Sequence, residues 1–80
     1  MRIELTRRAE KDLKKLDKPI AKRVVSALKD LEEGRRFLEP LSGQLKGLFK
    51  LRVGDYRVIA QPQKPGEIIV RFIRHRSKAY

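Results

Sequence analysis

Eighty residues carry 21 Lys and Arg against 10 Asp and Glu, a formal net charge of +11, with an apolar share of 40%. That is enough chain for one small domain, too apolar for a disordered tail, with no run near the ~20 apolar residues of a membrane span and no signal-like N-terminal stretch. The absence of cysteine excludes a disulfide framework, a zinc–thiolate site and a thiol nucleophile, so a single cytoplasmic domain over residues 1–80 is expected.

In chain order, Ile3 and Leu5 alternate with Arg2 and Glu4, which predicts a short N-terminal strand. Thr6 then suits an N-cap, and Ala9, Leu13 and Leu16 recur at helical spacing. Asp17-Lys18-Pro19 breaks this helix and starts a second, because proline is tolerated in a first turn. Ile20, Val24, Ala27, Leu28 and Leu31 give the second helix one apolar face, and Gly34 ends it. Residues 35–47 have no sustained period and read as a loop, with a turn at Glu39-Pro40.

The period then becomes two. Phe49, Leu51 and Val53 alternate with Lys50 and Arg52, Gly54-Asp55 is a turn, and Tyr56, Val58 and Ala60 alternate with Arg57, Ile59 and Gln61. A second turn at Pro62–Gly66 leads to a third strand, Glu67–Ile73, and a basic tail from Arg74 to Tyr80. The predicted class is α+β: an N-terminal strand, an αα-hairpin, then a three-stranded antiparallel meander (β-α-α-β-β-β), with the helices on one sheet face. Phe49, Leu51, Val53, Val58 and Ile68, Val70 and Phe72 should meet Leu13, Leu16, Val24, Leu28 and Leu31 in the core. Strand alternation then places Lys50, Arg52 and Arg57 together on the opposite face.

The charge is unevenly spread. Residues 1–40 hold 12 basic and 8 acidic side chains; residues 41–80 hold 9 basic and only 2 acidic, Asp55 and Glu67. Alternating signs in the first half fit a solvated helix face, whereas unneutralised cations in the second attract polyanions, nucleic acid above all.

The residue inventory narrows the chemistry. Clustered oxygens for calcium or magnesium and a His/Cys set for zinc are both missing, and Asp55 and Glu67 lie in or beside turns rather than across a cleft. Gly43-Gln44-Leu45-Lys46-Gly47 lacks the phosphate-loop spacing, and no nucleophile elbow supports a Ser77-His75-Asp55 triad. Lysine, arginine, histidine and tyrosine remain. They suit attack of an RNA 2′-hydroxyl on its own 3′-phosphate, where the substrate brings the nucleophile and the protein supplies a base, an acid and cationic donors. A lysine set among arginines can act as a base, since like charges disfavour the ammonium form.

The run GLFKLRVGDYRVI (Gly47–Ile59) resembles the central strands of the RelE/ParE toxin superfamily, and HRSKAY (His75–Tyr80) resembles its closing motif. With the helical hairpin, the resemblance spans essentially the whole chain. It implies a type II toxin that binds mRNA in the ribosomal A site and cleaves it without metal or cofactor, inhibiting translation. It also implies a toxin that is monomeric alone and hetero-oligomeric with a cognate antitoxin, whose amphipathic helix lies on the sheet or helical face. By position, Lys50 and Arg52 match the family's basic pair, Arg57 the arginine at the transition-state phosphate, Arg76 the arginine on the leaving-group side, and Tyr80 the base-stacking tyrosine. Lys46, Arg71, Arg74 and Lys78 are expected to bind RNA. Well-known members carry lysine where this chain has Arg52, and a guanidinium is a poor base, so the base role falls to Lys50 or His75. Two other readings stay open: a ParE-like, non-enzymatic inhibitor of DNA gyrase, and a basic RNA-binding module without turnover.

Overall fold

The computed structural model describes residues 1–78, so the stacking role expected of Tyr80 lies outside the described residues. The elements are β1 (Arg2–Leu5), α1 (Arg7–Lys15), α2 (Lys18–Glu32), β2 (Glu39–Pro40), β3 (Phe49–Val53), β4 (Tyr56–Lys64) and β5 (Glu67–His75). They build an α+β fold with one five-stranded sheet in the order β1-β5-β4-β3-β2. The meander β3-β4-β5 is antiparallel, and β1 joins it parallel to β5 after the helical crossover. Among the described residues, no helix is long and apolar enough to cross a membrane.

Local chemistry accounts for the helix ends. The Thr6 hydroxyl accepts from the Ala9 N–H at 3.1 Å, capping α1, and Pro19 sits in the first turn of α2, where its missing N–H costs nothing. Gly34, at φ +79°, takes the left-handed conformation that stops α2. The two helices lay Ala9, Val24, Ala27, Leu28 and Leu31 on Leu51, Val53, Val58, Ala60, Ile68, Val70 and Ile73. Burying each valine, leucine or isoleucine among them contributes roughly 1.5–3 kcal/mol before entropy is counted.

Five expectations need correction. Glu39 and Pro40 are not a turn but a two-residue edge strand, pairing with Lys50 and Phe49. The last hairpin is tighter than the Pro62–Gly66 turn suggested, because β4 runs on to Lys64 with a second irregularity between Pro62 and Lys64. Phe49 is only half-buried and outside the helix-packed cluster, since it lies at the sheet margin beside Pro40. The fourth correction matters most. Ala60 pairs with Val70 while Ile59 pairs with Phe72, so Arg71 is an extra residue without a cross-strand partner, a β-bulge. Beyond it the alternation inverts: Ile73 enters the core and Phe72 leaves it. Pairing also continues to Tyr56↔His75, so Arg74 and His75 belong to β5 rather than to a tail.

The bulge is anchored from the neighbouring edge. The Thr6 N–H donates to the Val70 carbonyl at 3.0 Å, and the Thr6 hydroxyl donates to the Arg71 carbonyl at 2.7 Å. One turn later the Asp12 carboxylate accepts from the Ile73 N–H at 3.0 Å. Strand β1 ends at Leu5, opposite Val70, and α1 therefore takes over as the hydrogen-bonding edge of β5. Replacing Asp12 with alanine leaves the Ile73 N–H without its acceptor and should cost about 1–3 kcal/mol. Urea unfolding checks this; Asp12→Asn, which keeps an acceptor oxygen, should recover most of the loss.

Candidate functional site

On the sheet face away from the helices, register builds two rows of side chains. Arg52 lies opposite Arg57, and Arg57 opposite Arg74, giving three guanidiniums abreast on β3, β4 and β5. The next row is Lys50, Ile59 and Phe72. Directly opposed side chains have Cβ atoms about 4.5–5.5 Å apart, where like charges repel. Each arginine is held in a different way. Arg52 Nε lies 3.5 Å from Glu39 Oε1 across the β2–β3 edge. Arg57 folds back on the hairpin, its Nη1 donating to the Tyr56 and Gly54 carbonyls at 3.1 and 3.3 Å. Arg74 lies over the Phe72 ring, 5.2 Å from its centroid, and Arg8 of α1 lies 4.7 Å from the same centroid. The Lys50 side chain has no hydrogen bond, ion pair or ring contact among the described residues. Ile59 is wholly buried between Lys50 and Phe72 in register, so the apolar surface of this face comes from the half-buried Phe72.

The sequence-derived residues do not all converge there. Lys50, Arg52 and Arg57 share the face as alternation requires, and the bulge adds Arg74 to them. Arg76 stands apart: its N–H donates to the Asp55 carbonyl at 2.7 Å and its Nε lies 3.6 Å from the Asp55 carboxylate, across the β3–β4 turn. His75 shares a register row with Tyr56 and Val53, the helix side of the sheet, and meets the Tyr56 ring edge-on at 5.1 Å. Its Nδ1 accepts from the Ser77 N–H at 3.2 Å, with the Ser77 hydroxyl at 2.8 Å, so neutral His75 carries its proton on Nε2. Lys46 is exposed after a 3-10 turn at Gly43–Leu45, and Arg71 is exposed at the bulge.

A second basic feature escaped the sequence reading. A cleft of about 490 Å³ opens between α1 and the end of β5, lined by Arg8, Lys15, Arg74, His75 and Lys78 together with Asp12, so Arg74 borders both this cleft and the arginine row. Arg8 and Lys15 sit in a helix of alternating charge, which in sequence resembles any solvated face. Only the crossing of α1 over β5 brings them to His75. By contrast, Arg35 is spent locally: its guanidinium pairs with Asp30 and Glu33, which together hold its pKa above the usual arginine value.

The arrangement is a cationic surface with a short apolar patch, suited to a polyanion that also offers flat or apolar groups. Because Asp55 neutralises Arg76, Asp55→Asn should release one cation and strengthen binding of a polyanion such as heparin. Binding isotherms at several salt concentrations check this; the salt slope should steepen by up to about one counterion.

Comparison with known proteins places this geometry in context. The family model described as the ParE toxin of the type II toxin–antitoxin system, parDE, matches residues 3–80. The toxin–antitoxin complex RelBE2 of Mycobacterium tuberculosis contains a chain 30% identical, with a TM-score of 0.81, covering 96% of this chain and 92% of that one. The archaeal RelE–RelB complex of Pyrococcus horikoshii matches at 26% identity and a TM-score of 0.70, over 98% and 97% of the two chains. The isolated RelE toxin of Escherichia coli, 19% identical, shares the fold with a TM-score of 0.76 over 92% of this chain and 82% of that one. No curated protein matches.

Proposed function

The chain belongs to the ParE toxin family of type II toxin–antitoxin systems, within the RelE/ParE superfamily, and we propose that it is a toxin that cleaves mRNA on the ribosome. The observation that carries this reading is the row Arg52–Arg57–Arg74 with Lys50 beside it on one solvent-facing sheet surface. In this reading Lys50 takes the proton of an RNA 2′-hydroxyl, the 2′-oxygen forms a bond to the adjacent phosphorus, and the bond from phosphorus to the 5′-oxygen breaks. The departing 5′-oxygen takes a proton from solvent, leaving a 2′,3′-cyclic phosphate. Arg57 and Arg74 flank the phosphate and stabilise the charge that accumulates on its oxygens. Guanidiniums do not release protons, so Arg52 serves the phosphate rather than the base step.

Register redistributes two roles. Arg74, abreast of Arg57, takes the leaving-group side that the motif alone assigned to Arg76. His75 faces the helix-side cleft and not the Lys50 row, which favours Lys50 over His75 as base. The same fold supports a cognate antitoxin as partner, as in the toxin–antitoxin complexes to which the chain is similar. Leu13, Ala21 and Val25 line a groove of about 650 Å³ on the helical hairpin, with Val25 52% exposed. Lys14, Lys18, Lys22 and Lys29 rim it, so an acidic amphipathic helix is the complementary segment.

Primer-extension mapping of a translated mRNA, with EDTA present, tests the nuclease. Wild type should cleave; Arg57→Ala and Arg74→Ala should each lower the rate by roughly 100-fold or more, the scale of losing one oxyanion donor. Arg76→Ala should lose far less, and unchanged cleavage in both Arg57→Ala and Arg74→Ala would falsify the site. The family match itself favours a second reading, a non-enzymatic inhibitor of DNA gyrase. Inhibition of supercoiling by the purified protein, without any mRNA cleavage, would establish that reading instead.

A further inference from the structure

We infer that Phe37 is a nucleobase-stacking site that extends the cationic row to the far edge of the sheet; the inference rests on the RNA reading above. Phe37 is 82% exposed, the most exposed of the large apolar side chains. Its position is set by its neighbours. Arg36 donates from Nη2 to the Arg52 carbonyl, tying the segment to β3. Leu38 turns inward and packs on the helix-side core. Glu39 pairs with Lys50 in register and its carboxylate meets Arg52. Phe37 and Leu38 precede β2; if the antiparallel register is carried on by two residues, Phe37 falls opposite Arg52, and alternation around Leu38 turns it to the Lys50 face.

The row therefore reads Phe37, Arg52, Arg57, Arg74 across four adjacent chain segments, one ring followed by three guanidiniums. At about 4.8 Å per strand, the ring stands roughly 14 Å from Arg74. An exposed phenyl ring in this setting has one fitting occupant. A protein partner would cover it with an apolar pocket, yet its neighbours on this face are charged: Arg52 and Lys50, with Glu39 held on Arg52. A single-stranded RNA brings phosphates for the guanidiniums and a base face for the ring. Stacking is tolerant of base identity, so Phe37 would fix the path of the strand across the sheet rather than read its sequence. The anchors at Arg36 and Glu39 hold the ring's backbone before any RNA arrives, which lowers the ordering cost of binding.

The test uses a 2′-O-methyl RNA decamer, which cannot undergo 2′-hydroxyl attack, so binding is read apart from cleavage. The chain contains no tryptophan, and Phe37→Trp therefore places a single indole reporter at this position. Its emission should be quenched by the decamer and not by inorganic polyphosphate at matched ionic strength. By fluorescence anisotropy of the labelled decamer, Phe37→Ala and Phe37→Leu should both weaken binding, by roughly 5- to 100-fold, while Phe37→Tyr stays near wild type. Equal binding by Phe37→Leu and wild type, absence of quenching at saturation, or failure of wild type to bind the decamer would each overturn the inference. Failure of mRNA cleavage alone, with these binding results intact, would overturn the nuclease reading and leave the stacking site standing.

Discussion

The structure turns on one extra residue in β5. Without the bulge at Arg71, strict alternation would carry Val70, Phe72 and Arg74 into the core and push Ile73 to the surface. A buried, unpaired guanidinium would cost several kcal/mol, so that register is closed to this sequence. With the bulge, Ile73 completes the apolar cluster and Arg74 lines up with Arg57 and Arg52. Core and cationic face thus depend on the same irregularity. Its stabilisation comes from outside the sheet, through Thr6 and Asp12 on the segment that crosses to β5. Helix α1 therefore contributes to the candidate site without contributing to the guanidinium row.

Three opposed arginines are an unfavourable arrangement taken alone. Each is given a fixed position by a different neighbour: Glu39 for Arg52, the hairpin carbonyls for Arg57, the Phe72 ring for Arg74. These contacts reduce the freedom of the side chains without filling the space in front of them. The carboxylate among these contacts, Glu39, is at the edge. A row arranged in this way keeps its net positive potential and concentrates it on one surface, which is where an anion would gain most.

Much of this was legible in the residues. Period-two alternation in Phe49–Val53 and Tyr56–Gln61 correctly separated Leu51 and Val58 from Lys50, Arg52 and Arg57, because both strands are regular. Thr6, Pro19 and Gly34 marked helix ends through local chemistry that tertiary contacts did not override. The errors had nonlocal causes. Arg71-Phe72-Ile73-Arg74 has no feature that announces a bulge, since the hydrogen bonds that stabilise it come from residues about sixty positions earlier. The cleft around His75 was hidden for the same reason: Arg8 and Lys15 acquire meaning only from the docking of α1. Glu39-Pro40 was hidden by brevity, since two residues carry no period. The family resemblance supplied roles by motif position, and the bulge decided which of the closing arginines, Arg74 or Arg76, stands abreast of Arg57.

The two sides of the sheet divide the labour of a toxin that must be both held and released. One side buries the apolar stripe of the helices; beyond the helices, the lysine-rimmed groove around Val25 offers a surface for an acidic helix. The other side carries the guanidinium row and Lys50, with Phe37 at its margin. Five strands and the helices lie between them, so a segment seated in the groove does not by itself cover Arg57. Silencing the row by direct contact would require the same partner chain to continue around an edge of the sheet. The two edges differ: β1 is joined to the helices and abuts the bulge, while β2 is two residues long and leaves most of β3 unpaired on that side. Just before β2, however, Arg36 already donates to the Arg52 carbonyl and Glu39 meets the Arg52 guanidinium, so the chain itself lies along this edge of β3. A partner chain that reached Lys50 from this side would therefore have to pass Phe37 and the Glu39–Arg52 pair.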